Sequence, residues 1–290
     1  MSSKLTQTIS SFRTGSDLFA ARSRQENFPV ASRLLPRQQR DHLMAIYGFA
    51  RLTDDVGDEA EGDRLALLDW LDDELDLAFR GEAIHPVFQR LTPMIEELGL
   101  SPEPFRALIE ANRVDQRVTR YDTFDDLVGY CMLSAAPVGH LVLAVFGALT
   151  PERIALSDQI CIALQVVEHL QDVGEDARAG RVYLPLEDLK RFDCGLEELL
   201  ASSTSPALRR VVAHEADRAR TLLVDGSALA STLPWRPRVA IDGFVGGGLA
   251  VIDALAGASY DVLAVQCRPT KRDLVAHVLR ALTAQIQGAA

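Results

Sequence analysis

The stretch QVVEHLQDVGEDARAGRVYLP, residues 165–185, spaces three carboxylates four residues apart (Glu168, Asp172 and Asp176) beside the apolar residues Val167, Leu170 and Val173. Apolar positions three apart with a polar stripe alongside are the pattern of an amphipathic helix. Outward from it, the same spacing recurs almost everywhere from Leu18 onward, with Gly or Pro marking the breaks. It predicts helices over 17–25, 38–58, 63–80, 84–99, 103–117, 123–134, 136–147, 151–178, 185–190, 195–201, 205–230, 234–257 and 270–286. No run of alternating β-branched residues is long enough for a sheet. Asp63 or Gly62, and Ser101-Pro102 before Glu103, stand where helix starts need caps. No repeat, low-complexity tract or linker divides the chain. The expected fold is all-α, one domain over 17–290 behind a frayed tail over 1–16.

Composition narrows the chemistry. The chain of 290 residues is 48% hydrophobic and 24% charged, which suits a globular protein with a large core. Its net charge is −11, and no basic block appears, so a nucleic-acid partner is disfavoured. An acidic protein that handles phosphate needs metal cations as the bridge. Cys131, Cys161, Cys194 and Cys267 form no CxxC pair and read as buried, reduced thiols of a cytoplasmic protein. The N-terminus lacks the apolar core of a signal peptide. The apolar stretch 239–263 carries Asp242, Asp253 and Asp261, which a membrane-spanning helix would bear at great cost, so it reads as a buried helix. Peripheral contact with the inner membrane face stays compatible with this composition.

A second acidic cluster lies upstream, Asp54-Asp55-Val56-Gly57-Asp58-Glu59, ending a helix that also holds Tyr47 and Arg51. Asp54 and Asp58 sit one turn apart on one face, and Tyr47 and Arg51 extend that row backwards. Like charges so placed, at the negative end of a helix, do not serve stability. A solvated acidic helix end is the ordinary alternative for this cluster alone. The second row changes the balance: two such helices facing each other would gather carboxylates around a cavity. Hard oxygen ligands in that number suit Mg²⁺, which keeps waters and bridges to substrate phosphates. Metal stabilisation of a departing diphosphate is one recognised catalytic role of such ions.

Other residues fit that setting. YCMLSAAPVG, 130–139, has small side chains and Pro137, which should break or kink the helix. For the small residues alone, close helix packing is the better reading. Arg178, Arg181 and Tyr183 follow the 168–176 row around Gly180, which reads as a helix stop; a guanidinium there can take phosphate oxygens bidentately, although a solvated loop arginine is the usual case. Gly243 to Gly248 lacks the preceding strand and the Gly-Lys-Ser/Thr ending of a phosphate loop, so helix crowding is the better reading. The histidines form no HExxH pattern, and His169 points about 100° from Glu168, as a structural or supporting residue.

On YGFARLTDDVGDE (47–59), YCMLSAAPVG (130–139) and QVVEHLQDVGEDARAGRVYLP (165–185), the chain resembles the squalene/phytoene synthase family from about Asn27 to Pro269. The resemblance implies an all-α isoprenoid-synthase fold around a central cavity, Mg²⁺ bound through both motifs, and prenyl diphosphate chemistry. ENFPVASRLLP (26–36) is similar to the bacterial hydroxysqualene synthase branch of hopanoid biosynthesis, which converts presqualene diphosphate and water to hydroxysqualene and diphosphate. Most relatives carry Asn where this chain has Glu168, and often Arg where it has Gln171. Glu168 still offers an oxygen ligand; Gln171 removes one diphosphate contact. The resemblance implies Asp54, Asp58, Glu168, Asp172 and Asp176 as metal ligands or their close support. It implies Arg51, Arg181 and Tyr183 at the diphosphate with Tyr47 beside them, Tyr130 at the reacting carbons, and Phe28 near the substrate.

The expected reaction is loss of diphosphate, rearrangement of the cyclopropylcarbinyl cation in a partly aromatic pocket, and capture by water. No dinucleotide fingerprint points to a reducing squalene synthase. Two alternatives stay open: a head-to-head prenyltransferase making presqualene diphosphate, squalene or phytoene, and a catalytically silent helical assembly protein. The expected partner is an isoprenoid diphosphate substrate, and contact with neighbouring enzymes of the squalene route stays open.

Overall fold

The structure, a computed structural model, describes residues 34–265. The expected tail over 1–16, the helices over 17–25 and 270–286, Phe28, most of ENFPVASRLLP and Cys267 lie outside the described residues. Within them the chain is helical, with one isolated bridge between Arg120 and Val182 and no strand. The helices are α1 Arg37–Asp58, α2 Arg64–Phe79, α3 Pro86–Leu98, α4 Glu103–Asp115, α5 Phe124–Ser134 and α6 Ala136–Val145. There follow α7 Pro151–Gln171, α8 Val173–Arg178, α9 Leu186–Arg191, a 3-10 turn Leu196–Leu200, α10 Pro206–Gly226, α11 Ala228–Ser231 and α12 Trp235–Gly257.

They gather into two compact units. Residues 34–117 and 137–150 form one, and 118–136 and 151–265 form the other. In the first unit, α1 to α4 and α6 close around one apolar cluster. Phe49 of α1 meets Phe88 and Phe105 edge to face, at centroid distances of 5.6 and 5.2 Å, the favourable arrangement for ring quadrupoles. Asp63 caps α2 through the Ala66 amide at 3.1 Å, as its position in the sequence predicts. Buried Glu74 accepts from the Ile84 and His85 amides at 3.2 and 2.9 Å and so satisfies donors before α3. Arg113 of α4 reaches back to Asp72 and Asp69 of α2 at 2.6 and 2.8 Å.

In the second unit, α7 and α10 run along each other. Gly226 permits the approach: a Cβ there would stand 2.9 Å from the Leu156 carbonyl. α12 packs on both, and a Cβ on Gly248 would lie 2.8 Å from Leu164 and Leu223. The glycine cluster is therefore helix crowding, as expected. α12 and the stretch Phe124–Val145 are each long and apolar enough to cross a membrane by length and composition, with mean hydropathy 1.7. α12 is also a core element of its unit, with Ile241, Val245, Val251 and Leu255 buried. Ala135 breaks the second stretch just before Pro137, which falls in the first turn of α6, where a missing N–H costs nothing. The expected helix 205–230 is instead two, divided at Ser227, whose hydroxyl bonds the Val224 carbonyl at 2.6 Å. Cys131 and Cys194 are buried free thiols, pushed up by burial to about 12 and about 11.

Candidate active site

The first acidic row stands on the first unit. α1 stays helical through Tyr47, Arg51, Asp54 and Asp58, so the four share a face. Thr53 between them is buried and donates back to the Phe49 carbonyl at 3.0 Å. Arg51 is tied to Asp55, Nε to Oδ1 at 3.1 Å, and lies 3.9 Å from Glu59. Its charge is thus partly engaged within the motif itself.

α4 supports this row. Asn112, 7% exposed, donates to Asp54 Oδ1 at 3.4 Å and to the Leu108 carbonyl at 3.2 Å. Gln116 donates to the Gly57 carbonyl at 3.0 Å. Gly57 makes this approach possible, since a Cβ there would stand 1.9 Å from Asn112 Oδ1. Past the end of α1, Arg64 donates to the carbonyls of Asp58 and Ala60 at 2.8 and 3.0 Å, satisfying acceptors the helix leaves open. Asp54 is open to solvent at its surface, yet protein atoms crowd the volume around it. That desolvation pushes its pKa up from 3.8 to about 7, against the pull of Asn112 and Arg51 and with a further push from Asp58 and Asp55. A proton or a cation can reach such a carboxylate and relieve it.

The second row stands on the second unit, and it corrects the sequence reading. The expected continuous helix 151–178 is interrupted: α7 ends at Gln171, Asp172 turns with φ −105° and ψ 11°, and α8 resumes at Val173. Hydrogen bonds from Asp172 N to the Glu168 carbonyl (3.1 Å) and from Asp176 N to the Asp172 carbonyl (2.8 Å) bridge the bend. Val173-Gly174 is a weak helical pair, and Gly174 lies so close to Leu263 that a Cβ would be 2.9 Å from its Cδ2. Glu168 and Asp172 are exposed, whereas Asp176 is half-buried.

Asp176 has drifted toward His169. Each four-residue step overshoots a helical turn by about 40°, so Asp176 ends nearer to the face of His169 than to that of Glu168. Its Oδ2 lies 3.8 Å from His169 Nδ1. His169 stacks on Tyr183 with centroids 3.8 Å apart and planes at 13°. Tyr183 tilts against Tyr130 at 5.5 Å and stacks on Tyr121 at 5.9 Å. A short parallel pairing of backbone holds this wall: Val182 N bonds the Thr119 carbonyl at 2.8 Å, and Leu186 N the Tyr121 carbonyl at 2.9 Å. Gly180, at φ 84°, ends α8 as expected and turns the chain so that Arg181, Asp176, His169 and Tyr183 line one small recess.

Of the residues expected from sequence, Tyr47, Arg51, Asp54 and Asp58 therefore share one face of α1. Tyr130, Asp176, Arg181 and Tyr183 come together on the second unit, which also carries Glu168 and Asp172. Sequence reasoning missed Asn112, Gln116, Tyr121 and the place of His169. For His169 a signal existed: His169 and Asp176 are seven apart, two helical turns. Among the described residues, Asp188, His214 and Glu215 also bring ligand atoms within 4.8 Å of one another, and none belongs to either row.

Residues 21–273 match the sequence profile of the squalene/phytoene synthase family. The hydroxysqualene synthase of Rhodopseudomonas palustris is 39% identical over 214 residues, covering 72% of each chain. The phytoene synthase of Arthrospira platensis is 35% identical over 233 residues, 72% of this chain and 74% of that protein. In solved structures, the squalene synthase HpnC from Alicyclobacillus acidocaldarius superposes with a TM-score of 0.78 at 41% identity, covering 93% of this chain and 98% of that one. A dehydrosqualene synthase in complex with a ligand shares the fold, with a TM-score of 0.84 at 19% identity over 97% of this chain and 99% of that one. With its helical units and acidic motifs, the chain belongs to the squalene/phytoene synthase family, all-α enzymes that process isoprenoid diphosphates.

Proposed function

We propose that this enzyme ionises presqualene diphosphate and captures the rearranged cation with water, giving hydroxysqualene and diphosphate as a step toward hopanoids. The observation that carries the reading is the junction of acids and rings on the second unit, where Asp176 meets His169 and His169 stacks on Tyr183 beside Tyr130. Charge that leaves with a diphosphate and charge that stays on carbon need these two surfaces side by side. Ring faces favour the carbocation, and the Arg181 guanidinium favours phosphate oxygens.

The donor set fits Mg²⁺. On α1, Asp54 and Asp58 are exposed hard-oxygen donors, and the raised pKa of Asp54 is a strain that a cation relieves; on α7 and α8, Glu168 and Asp172 are exposed donors with Asp176 half-buried beside them. When bound, the metal neutralises the diphosphate and stabilises it as it departs. Arg51 and Tyr47 lie in line with Asp54 on α1, where they would serve a metal-bound diphosphate. Hydroxysqualene synthases at 39% and 36% identity support the water-capturing reaction. Phytoene synthases at 35% and 31% support the second reading, head-to-head condensation of two prenyl diphosphates.

The test is product analysis with each substrate alone. Presqualene diphosphate with Mg²⁺ and no reductant should yield an alcohol, and the reaction run in ¹⁸O-water should place the label in its hydroxyl group. Farnesyl diphosphate alone should give little product. Squalene formed only with NADPH would remove the water-capture assignment, and efficient conversion of farnesyl diphosphate would favour the second reading.

A further inference from the structure

Away from both acidic rows, α9 and α10 bury another set of ionisable groups in the second unit. Asp188 is 2% exposed and Glu215 1%. Arg218 Nη1 donates to Asp188 Oδ2 at 2.5 Å and to Glu215 Oε1 at 2.7 Å. The guanidinium takes one oxygen from each carboxylate and leaves the other. Asp188 Oδ1 lies 3.4 Å from His214 Nε2. Glu215 Oε2 is buried and accepts no hydrogen bond. A buried carboxylate oxygen without a donor needs a proton or a cation.

We propose that Asp188, His214 and Glu215 form a binding site for a divalent first-row transition cation of the Zn²⁺ or Mn²⁺ class, distinct from the carboxylates of the two acidic rows. One ligand atom from each of the three residues already lies within 4.8 Å of the others. An imidazole nitrogen among carboxylate oxygens selects such an ion over Mg²⁺. His214 is held below its usual pKa by burial and by Arg218, which favours the neutral ring that a metal ion needs. Burial pushes the Glu215 carboxyl up to about 8, with Arg218 pulling down and Asp188 pushing further up. The ion displaces a proton from that carboxyl. Arg218 then acts as the outer partner that orients both carboxylates. Its charge leaves the pair of carboxylates with a single net negative charge. Arg191 is exposed, and its Nη1, 3.3 Å from His214 Nε2, would have to give up that contact to the ion. The ion would also stiffen the start of α5, because Arg218 covers the Phe124 ring at 4.5 Å and Glu187 of α9 accepts from the Phe124 amide at 2.8 Å.

The experiment uses the full-length protein, stripped with chelator and returned to excess Mg²⁺, then titrated with Zn²⁺ by calorimetry. A single Zn²⁺ should bind that Mg²⁺ does not displace. His214→Gln and Glu215→Gln should each weaken it by about tenfold or more, while Asp54→Asn, altered only in the first acidic row, should keep it. No Zn²⁺ uptake by the wild type, or uptake unchanged in both variants, overturns the proposal. Loss in Asp54→Asn would assign the ion to the acidic row and overturn it equally. If Glu215→Gln does not fold, His214→Gln decides the matter, because that side chain is 26% exposed and its replacement leaves the buried pair intact.

Discussion

Asp54 lies one turn from Asp58 and beside Asp55, in crowded surroundings that hold its pKa near 7. Removing this carboxylate without metal present removes repulsion and a desolvation cost, not a stabilising contact of any size. Asp54→Ala should therefore melt at the wild-type temperature or slightly above it in chelator, and should lose turnover. Asp172→Ala should lose turnover in the same way. Substantial Mg²⁺-dependent turnover by either variant would take these carboxylates out of the reaction. Glu215 lets the effect of burial be read as stability. Its carboxyl is raised from 4.5 to about 8, so between those values the folded chain keeps a proton that the unfolded chain has released. Stability contributed by that proton is fully present below about pH 4.5 and is lost as pH rises through about 8. In chelator, raising the pH from about 6 to about 9 should cost on the order of 2–3 kcal/mol from this group, read as a falling urea midpoint. Glu215→Gln cannot ionise and should flatten that slope. An unchanged slope in the variant would show that the buried proton is elsewhere.

Among elements, local periodicity carried the helices well, because each buries one stripe against its own unit. Asp63 before α2 and Gly180 after α8 do locally what their types predict. What local pattern missed depends on partners distant in sequence. The bend at Asp172 goes with Leu263 crowding Gly174. The contact from Asn112 to Asp54 spans 58 residues, and that from Arg218 to Asp188 spans 30. No window of helical periodicity contains either pair. Both acidic rows were legible because their spacing is local; the residues that hold them were not. Gly57 makes the point testable. Gly→Ala inside a helix normally stabilises by roughly 0.5–1 kcal/mol. Here the added Cβ would meet Asn112 Oδ1 at 1.9 Å, so the sign should reverse. Gly57→Ala should destabilise by about 1–3 kcal/mol in urea denaturation, and adding Asn112→Ala should recover part of the loss. A stabilised single variant would mean that α4 does not hold α1 through this contact.

At the scale of the whole molecule, the chain enters the second unit at 118, returns to the first at 137 and leaves it again at 151. No single cut in the sequence separates the units, which is why composition and linker signals show no boundary. The two acidic motifs end on different units, the first on α1 and the second on α7 and α8. With a net charge of −11, neither motif is suited to hold a diphosphate without cations. If both serve one substrate, as the proposed reaction requires, they must be thermodynamically coupled. Inorganic diphosphate with Mg²⁺ should raise the melting temperature of the wild-type protein, since a ligand bound only by the folded state stabilises it. Asp54→Asn and Asp172→Asn should each abolish most of that rise, and the double variant should lose no more than either single one. Non-additivity of this kind marks residues acting on a common ligand. Partial losses that simply add in the double variant would instead assign each motif its own independent ligand, and the shared diphosphate would have to be given up.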